Sequence, residues 1–162
     1  MKSQHYLYLL ILVAIFFIGC TQPDGRTEIT SENTVSQPAE TKSNLQLDIM
    51  TEFPEKIDGC SCYYSKDSLQ FAKGEYIYFH NMDSLSIISI NGQLEEFQRA
   101  SSHKTDSTHS THRYKSGVYS MQVDEGFHRQ SGYEVWLMTG VISLEDTLGN
   151  HHLESFYGEC GC

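Results

Sequence analysis

Four cysteines set in two C-x-C pairs, Cys60/Cys62 and Cys160/Cys162, are the residues of this 162-residue chain whose type and spacing most directly carry chemistry. Residues two apart on a strand project to the same side, so each pair presents its two sulfurs together. Antiparallel neighbouring strands would join Cys60 to Cys162 and Cys62 to Cys160, whereas parallel neighbours would join Cys60 to Cys160 and Cys62 to Cys162. A bond inside each C-x-C would close a small strained ring, the most reducible of the three arrangements. Four thiolates could instead hold a metal. Zinc sites usually use C-x-x-C, because two intervening residues let the chain wrap round the ion, and C-x-C suits the softer, less demanding copper(I) better. In an oxidising compartment an even set of four cysteines reads first as structural disulfides.

The next groups with any claim on chemistry are His103, His109 and His112, gathered in a polar stretch, 101–112, with one aspartate. Imidazoles on a mobile loop can hold zinc or copper weakly, although a solvated hairpin tip is the plainer expectation. His80 and the pair His151-His152 add imidazoles without a spacing that specifies a site. The acidic pairs Glu95-Glu96, Asp124-Glu125 and Glu145-Asp146 fall at expected turns or exposed strand positions, where carboxylates are hydrated. No H-E-x-x-H, G-x-S-x-G, Walker loop or dinucleotide glycine fingerprint occurs, so catalysis is not indicated.

The elements that must position these residues read as β throughout. Leu45, Leu47 and Ile49 alternate before Pro54, and 75–80 is aromatic and β-branched. The run 85–90 leads into Asn91-Gly92, a strong hairpin signal, and 94–97 returns. Later, 118–123 precedes a turn expected at Asp124-Glu125-Gly126, 133–144 is a long strand with Gly140 as an expected bulge, and Leu148-Gly149-Asn150 turns into 152–157. Only 66–72 reads as a helical turn. The fold class expected is all-β, a small antiparallel barrel or sandwich of about eight strands, since closure also protects sheet edges. Tyr76, Tyr78, Phe79, Trp136 and Phe156 are core candidates, some of them available to line a binding mouth.

Three regions are expected along the chain. Residues 1–19 begin with Lys2 and run apolar from Tyr6 to Ile18, too short to cross a hydrocarbon core of about 30 Å and suited to a cleaved signal. Residues 20–44 are polar without an aromatic and cannot offset the entropy of ordering, so they read as a disordered, flexible tether. Residues 45–162 form the β domain opened and closed by the C-x-C pairs. The net charge is -10, and removal of the leader takes away only Lys2 among the charged side chains. Such a domain repels nucleic acid and attracts cationic partners.

The ending Phe17-Ile18-Gly19-Cys20 resembles the lipobox of bacterial lipoproteins. That resemblance implies cleavage before Cys20, acylation of Cys20 and a membrane partner reached through lipid, with Thr21 pointing to the outer membrane. Gly59-Cys-Ser-Cys-Tyr63 together with Gly158-Glu-Cys-Gly-Cys162 is similar to a group of small bacterial lipoproteins that open and close their domain with such pairs. The likeness implies location and a clasp, and no activity. A weaker likeness, in lipidation, disulfides, β content and size, is to the membrane-bound inhibitors of c-type lysozyme, whose inhibitory loop motif is not recognisable here. The expectation is a non-catalytic, lipid-anchored domain of a bacterial envelope, facing the periplasm or the surface, with binding as its task. Inhibition of a cationic lysozyme and copper or zinc binding through Cys60, Cys62, Cys160 and Cys162 are the alternatives.

Overall fold

In the computed structural model, which describes residues 45–162, eight antiparallel strands run in sequence order round a closed barrel. They are β1 (Ser61–Ser65), β2 (Tyr78–His80), β3 (Leu85–Ile90), β4 (Gln93–Lys104), β5 (His109–Lys115), β6 (Tyr119–Gly132), β7 (Val135–Asp146) and β8 (His151–Gly161). One short helix, α1 (Ser68–Ala72), interrupts them. The leader, Cys20 and the tether expected at 20–44 lie outside the described residues.

Closure follows from an even strand count, because the first and last strands of such a meander are antiparallel neighbours. β1 pairs with β8 so that Cys62 faces Cys160, and the same register brings Cys60 to Cys162. Both bridges form, Cys60–Cys162 and Cys62–Cys160. The cysteines are therefore a seam along the barrel wall. Oxidised sulfurs have no thiolate to offer a metal, so the clasp and the four-thiolate site exclude one another in this state.

The turns form where their chemistry demands. Asn91 and Gly92 both take positive φ, 51° and 82°, which is the backbone of a two-residue hairpin. Asp67 caps α1 by accepting from the Leu69 and Gln70 amides, and Phe71 then stacks on Tyr63 at 5.6 Å outside the barrel. Three sequence readings need correction. The alternating residues at 45–49 make only the isolated bridge Leu47–Ile90, with Met50–Tyr76 beyond it, and no strand. Leu45 and Leu47 are buried in the core cluster while Ile49 is 46% exposed, so this segment covers one end of the barrel.

The second correction concerns Asp124-Glu125-Gly126, which does not turn. β6 runs straight through it, hydrogen-bonded to β5 on one side and β7 on the other, and the reversal comes at Tyr133-Glu134. The third is Gly140, which is not a bulge. The irregularities lie at Arg99/Ser101, Phe127/Arg129 and Gln130/Gly132 instead. Gly140 is needed for close approach, because Phe156, its cross-strand partner, lies against it. Gly158 plays the same part beneath Tyr64. With no side chain at these two positions, Tyr64 and Phe156 turn into the lumen and pack 4.4 Å apart, with Tyr78 stacked on Tyr64 at 5.3 Å.

Candidate functional site

Inward positions divide the lumen into two parts. Towards the end covered by Leu45 and Leu47, the inner faces carry Ile88, Ile90, Phe97, Met121, Ile142 and Leu144, all of them buried. Towards the other end, the strands place His80, Arg99, His112, Glu125, Trp136 and the Cys62–Cys160 bridge round a cavity of about 370 Å³. An eight-stranded barrel is just wide enough either to be filled by side chains or to hold one small ligand. This one is filled in one part and hollow in the other.

Glu125 is the centre of the polar floor. Its side chain is 11% exposed, and it accepts hydrogen bonds from Tyr64 Oη at 3.0 Å and from His112 Nε2 at 2.9 Å. Burial pushes the carboxyl up, but these two donors and the neighbouring imidazoles outweigh it and hold Glu125 below its ordinary value. Tyr64 is pushed well up by burial and then by the Glu125 charge, so it remains a donor. Its oxygen also lies 2.9 Å from Cys160 Sγ, a disulfide sulfur with no proton to give.

His80 sits on the other side of Tyr64, Nε2 being 3.3 Å from Tyr64 Oη and 3.9 Å from Glu125. The Met82 amide donates to His80 Nδ1, which fixes the neutral tautomer with its proton on Nε2. Burial lowers His80 to about 4, with Arg99 and His112 adding to the fall and Glu125 opposing it. A histidine lowered in the folded state binds its proton more readily when unfolded. Stability is therefore full above about pH 6.5 and falls as pH drops towards 4. The loss by pH 4.5 is expected to be on the order of 2 to 3 kcal/mol. Urea midpoints at pH 7.5 and 4.5 check this: His80→Gln should lose that much less than the parent, and equal losses would refute it.

The three loop histidines are not brought together. The stretch expected to be a solvated tip is mostly strand, with 105–108 alone as the reversal. His103 and His109 are exposed on the hairpin, and His109 Nδ1 is engaged by Asp106 at 3.1 Å. His112 instead turns inward and is 9% exposed, so it contributes to the cavity rather than to a metal loop. Among the described residues, the one cluster with metal-ligand spacing is Cys62, His80 and Cys160, and its two sulfurs are bonded to each other.

The sequence reading missed Arg99, Lys104 and Glu125, and it placed Glu125 on an exposed turn. Arg99 donates from Nη2 to Tyr114 Oη at 3.3 Å and lies 5.5 Å above the Tyr114 ring. Its Nε is buried without a partner, as is Nδ1 of His112. Among the aromatic candidates, Tyr78, Phe79 and Phe156 are buried, whereas half-buried Trp136 lines the cavity. Arg99 shares the inward face of buried Phe97 two residues before it, which is the signal that could have found it; the bulge that follows changes the face only of the residues beyond. Compared with protein-family models, curated proteins and solved structures, the chain matches none of them.

Proposed function

We propose that this chain is a lipid-anchored protein of a bacterial envelope, attached through Cys20, whose barrel holds a small molecule without transforming it. One observation carries the binding part. The cavity of about 370 Å³ combines apolar walls with ionisable groups that the barrel buries. A concave, mostly apolar hollow with a few convergent polar groups is the usual form of a small-molecule site, and a domain that served only as a spacer has no need of one. Absence of turnover is supported by the way the polar groups are committed. Glu125 is occupied by His112 and Tyr64, and among the described residues no serine, threonine or free thiol hydrogen-bonds to His80 or His112.

The anchor rests on the apolar run that ends at Gly19-Cys20 and on the polar residues that follow. Replacing residues 1–20 by a secretory leader that is cleaved without acylation is expected to abolish palmitate incorporation and to move the protein from the membrane fraction to the soluble fraction. Retention in the membrane fraction would overturn the anchor. The same soluble form, purified without denaturant, tests binding by native mass spectrometry. A bound small molecule, or one taken up from an envelope extract, is the expected result. A barrel that carries nothing and takes up nothing overturns the binding reading.

A further inference from the structure

We infer that the ligand is a small monoanion, a carboxylate on an apolar or aromatic body, with its charge seated at Arg99 and its body against Trp136, Met138 and Phe127. This rests on the ligand-binding reading above and adds the chemistry of the ligand. The first observation is an imbalance of charge inside the cavity. Its one carboxylate, Glu125, is already engaged by hydrogen bonds from His112 and Tyr64, and Arg99 is not among its partners. Arg99 has no such partner: Tyr114 takes one of its protons, Nε is unpartnered, and among the described residues no carboxylate lies within salt-bridge distance of it. A guanidinium stays charged at any pH the protein meets, so the imbalance is permanent.

A second cation is turned the same way by the backbone. Ordinary alternation from Arg99 would place Ser101 inward and Lys104 outward. The bulge between Arg99 and Ser101 reverses that parity, so Lys104 pairs with Ser110, which pairs in turn with Glu125. Lys104 thus reaches the cavity lip, and no acidic side chain pairs with it among the described residues. In a chain of net charge -10, two cations without carboxylates facing one hollow run against the field of the whole protein. Arg99, partly desolvated and without a paired counter-charge, is costly to hold, and an anionic ligand supplies the missing charge; Lys104, exposed at the lip, adds to the same potential.

The third observation is His112. It is 9% exposed, its Nε2 is held by Glu125, and its Nδ1 has no partner. Nδ1 can donate to a carboxylate oxygen when the ring is charged or accept from a hydroxyl beside the carboxylate when it is neutral. The space available sets the size. At about 370 Å³ the hollow lies at the small end of ligand pockets, roughly 300 to 1,000 Å³, which suits a small body. The thioethers of Met82 and Met138 would suit a soft cation, but Arg99 and Lys104 oppose a positive charge in the same space.

Trp136 is the single tryptophan of the chain and lines the cavity, so its fluorescence reports occupancy directly. The test titrates the soluble, unacylated chain at neutral pH with 4-phenylbutyrate, 4-phenylbutanol and 4-phenylbutylamine, which share a body and differ in charge. The butyrate should bind at least about tenfold more tightly than the butanol, as one charge-assisted pair allows, and the amine should bind most weakly. Arg99→Met should bring the butyrate to the affinity of the butanol and leave the butanol unchanged. Lys104→Gln should weaken the butyrate alone, by a smaller factor. If Arg99→Met does not fold, the comparison in the parent protein still decides. Equal binding of butyrate and butanol would refute the anion site and leave the binding reading standing. Tightest binding of the amine would refute it by assigning the polarity to Glu125. Binding of none of the three would also refute it, and native mass spectrometry then decides separately whether the cavity holds anything.

Discussion

Gly158→Ala and Gly140→Ala are each expected to cost about 4 kcal/mol or more, a large share of the roughly 5 to 15 kcal/mol that holds a domain folded. A Cβ at Gly158 would fall inside contact distance of the Tyr63 carbonyl oxygen and 2.7 Å from Tyr64 Cα. One at Gly140 would strike the Asp124 carbonyl oxygen and the Phe156 ring. Flexible side chains can move aside, but the backbone atoms here belong to strands hydrogen-bonded on both sides in a closed sheet. Relief at one strand therefore shifts the register of the next, which is why the cost exceeds the 1–3 kcal/mol usual for overpacking. Gly132→Ala is the control, its nearest neighbour being Val135 Cβ at 3.6 Å. Soluble yield and urea midpoints of the three variants check the prediction, and a parent-like midpoint for Gly158→Ala would sink it.

Removing both bridges is expected to lower the melting temperature by about 20 °C, whereas removing either one alone should lower it by only a few degrees. The Cys60–Cys162 bridge spans 102 residues and Cys62–Cys160 spans 98, so each closes nearly the same loop. Constraining a loop of that length contributes about 4.7 kcal/mol in the chain-entropy account, and once one bridge is present the second constrains almost nothing more. Cys60→Ser with Cys162→Ser is the cleaner single removal, because those residues lie at the exposed rim while Cys62 and Cys160 are packed in the core. Calorimetry on the outer-bridge variant and on the variant lacking all four cysteines provides the measurement. Two equal, additive losses would show that the bridges act through native packing rather than through the unfolded chain.

The seam also shows how far spacing alone reaches. Two C-x-C pairs were compatible with three connectivities, and the choice among them required the direction of the first and last strands. The expected β class, the strand count, the Asn91-Gly92 reversal and the turn at Leu148-Gly149-Asn150 all depend on neighbours within a few residues, and all of them appear in the structure. Local rules misled where long-range pairing dominated. Asp124-Glu125-Gly126 has the composition of a turn, but hydrogen bonding to β5 and β7 on both sides holds it extended. Leu45, Leu47 and Ile49 have the alternation of a strand, yet no neighbouring strand edge is available to pair with more than Leu47.

Sequence by itself determined what is local or counted: β character, turn chemistry, the acidic balance, and two sulfur pairs with their members on the same face. Tertiary structure alone decided where the inward face changes along a strand. A strand alternates with a period of two, so a bulge after Arg99 exchanges the inner and outer faces of everything beyond it. Whether a bulge forms depends on the partner strand, which the residues beside Arg99 do not encode. That is why Lys104 reads as solvated surface in the sequence; His112 and Glu125 keep the ordinary alternation of buried Tyr114 and Val123, and the polar, turn-like composition of their segments hid them.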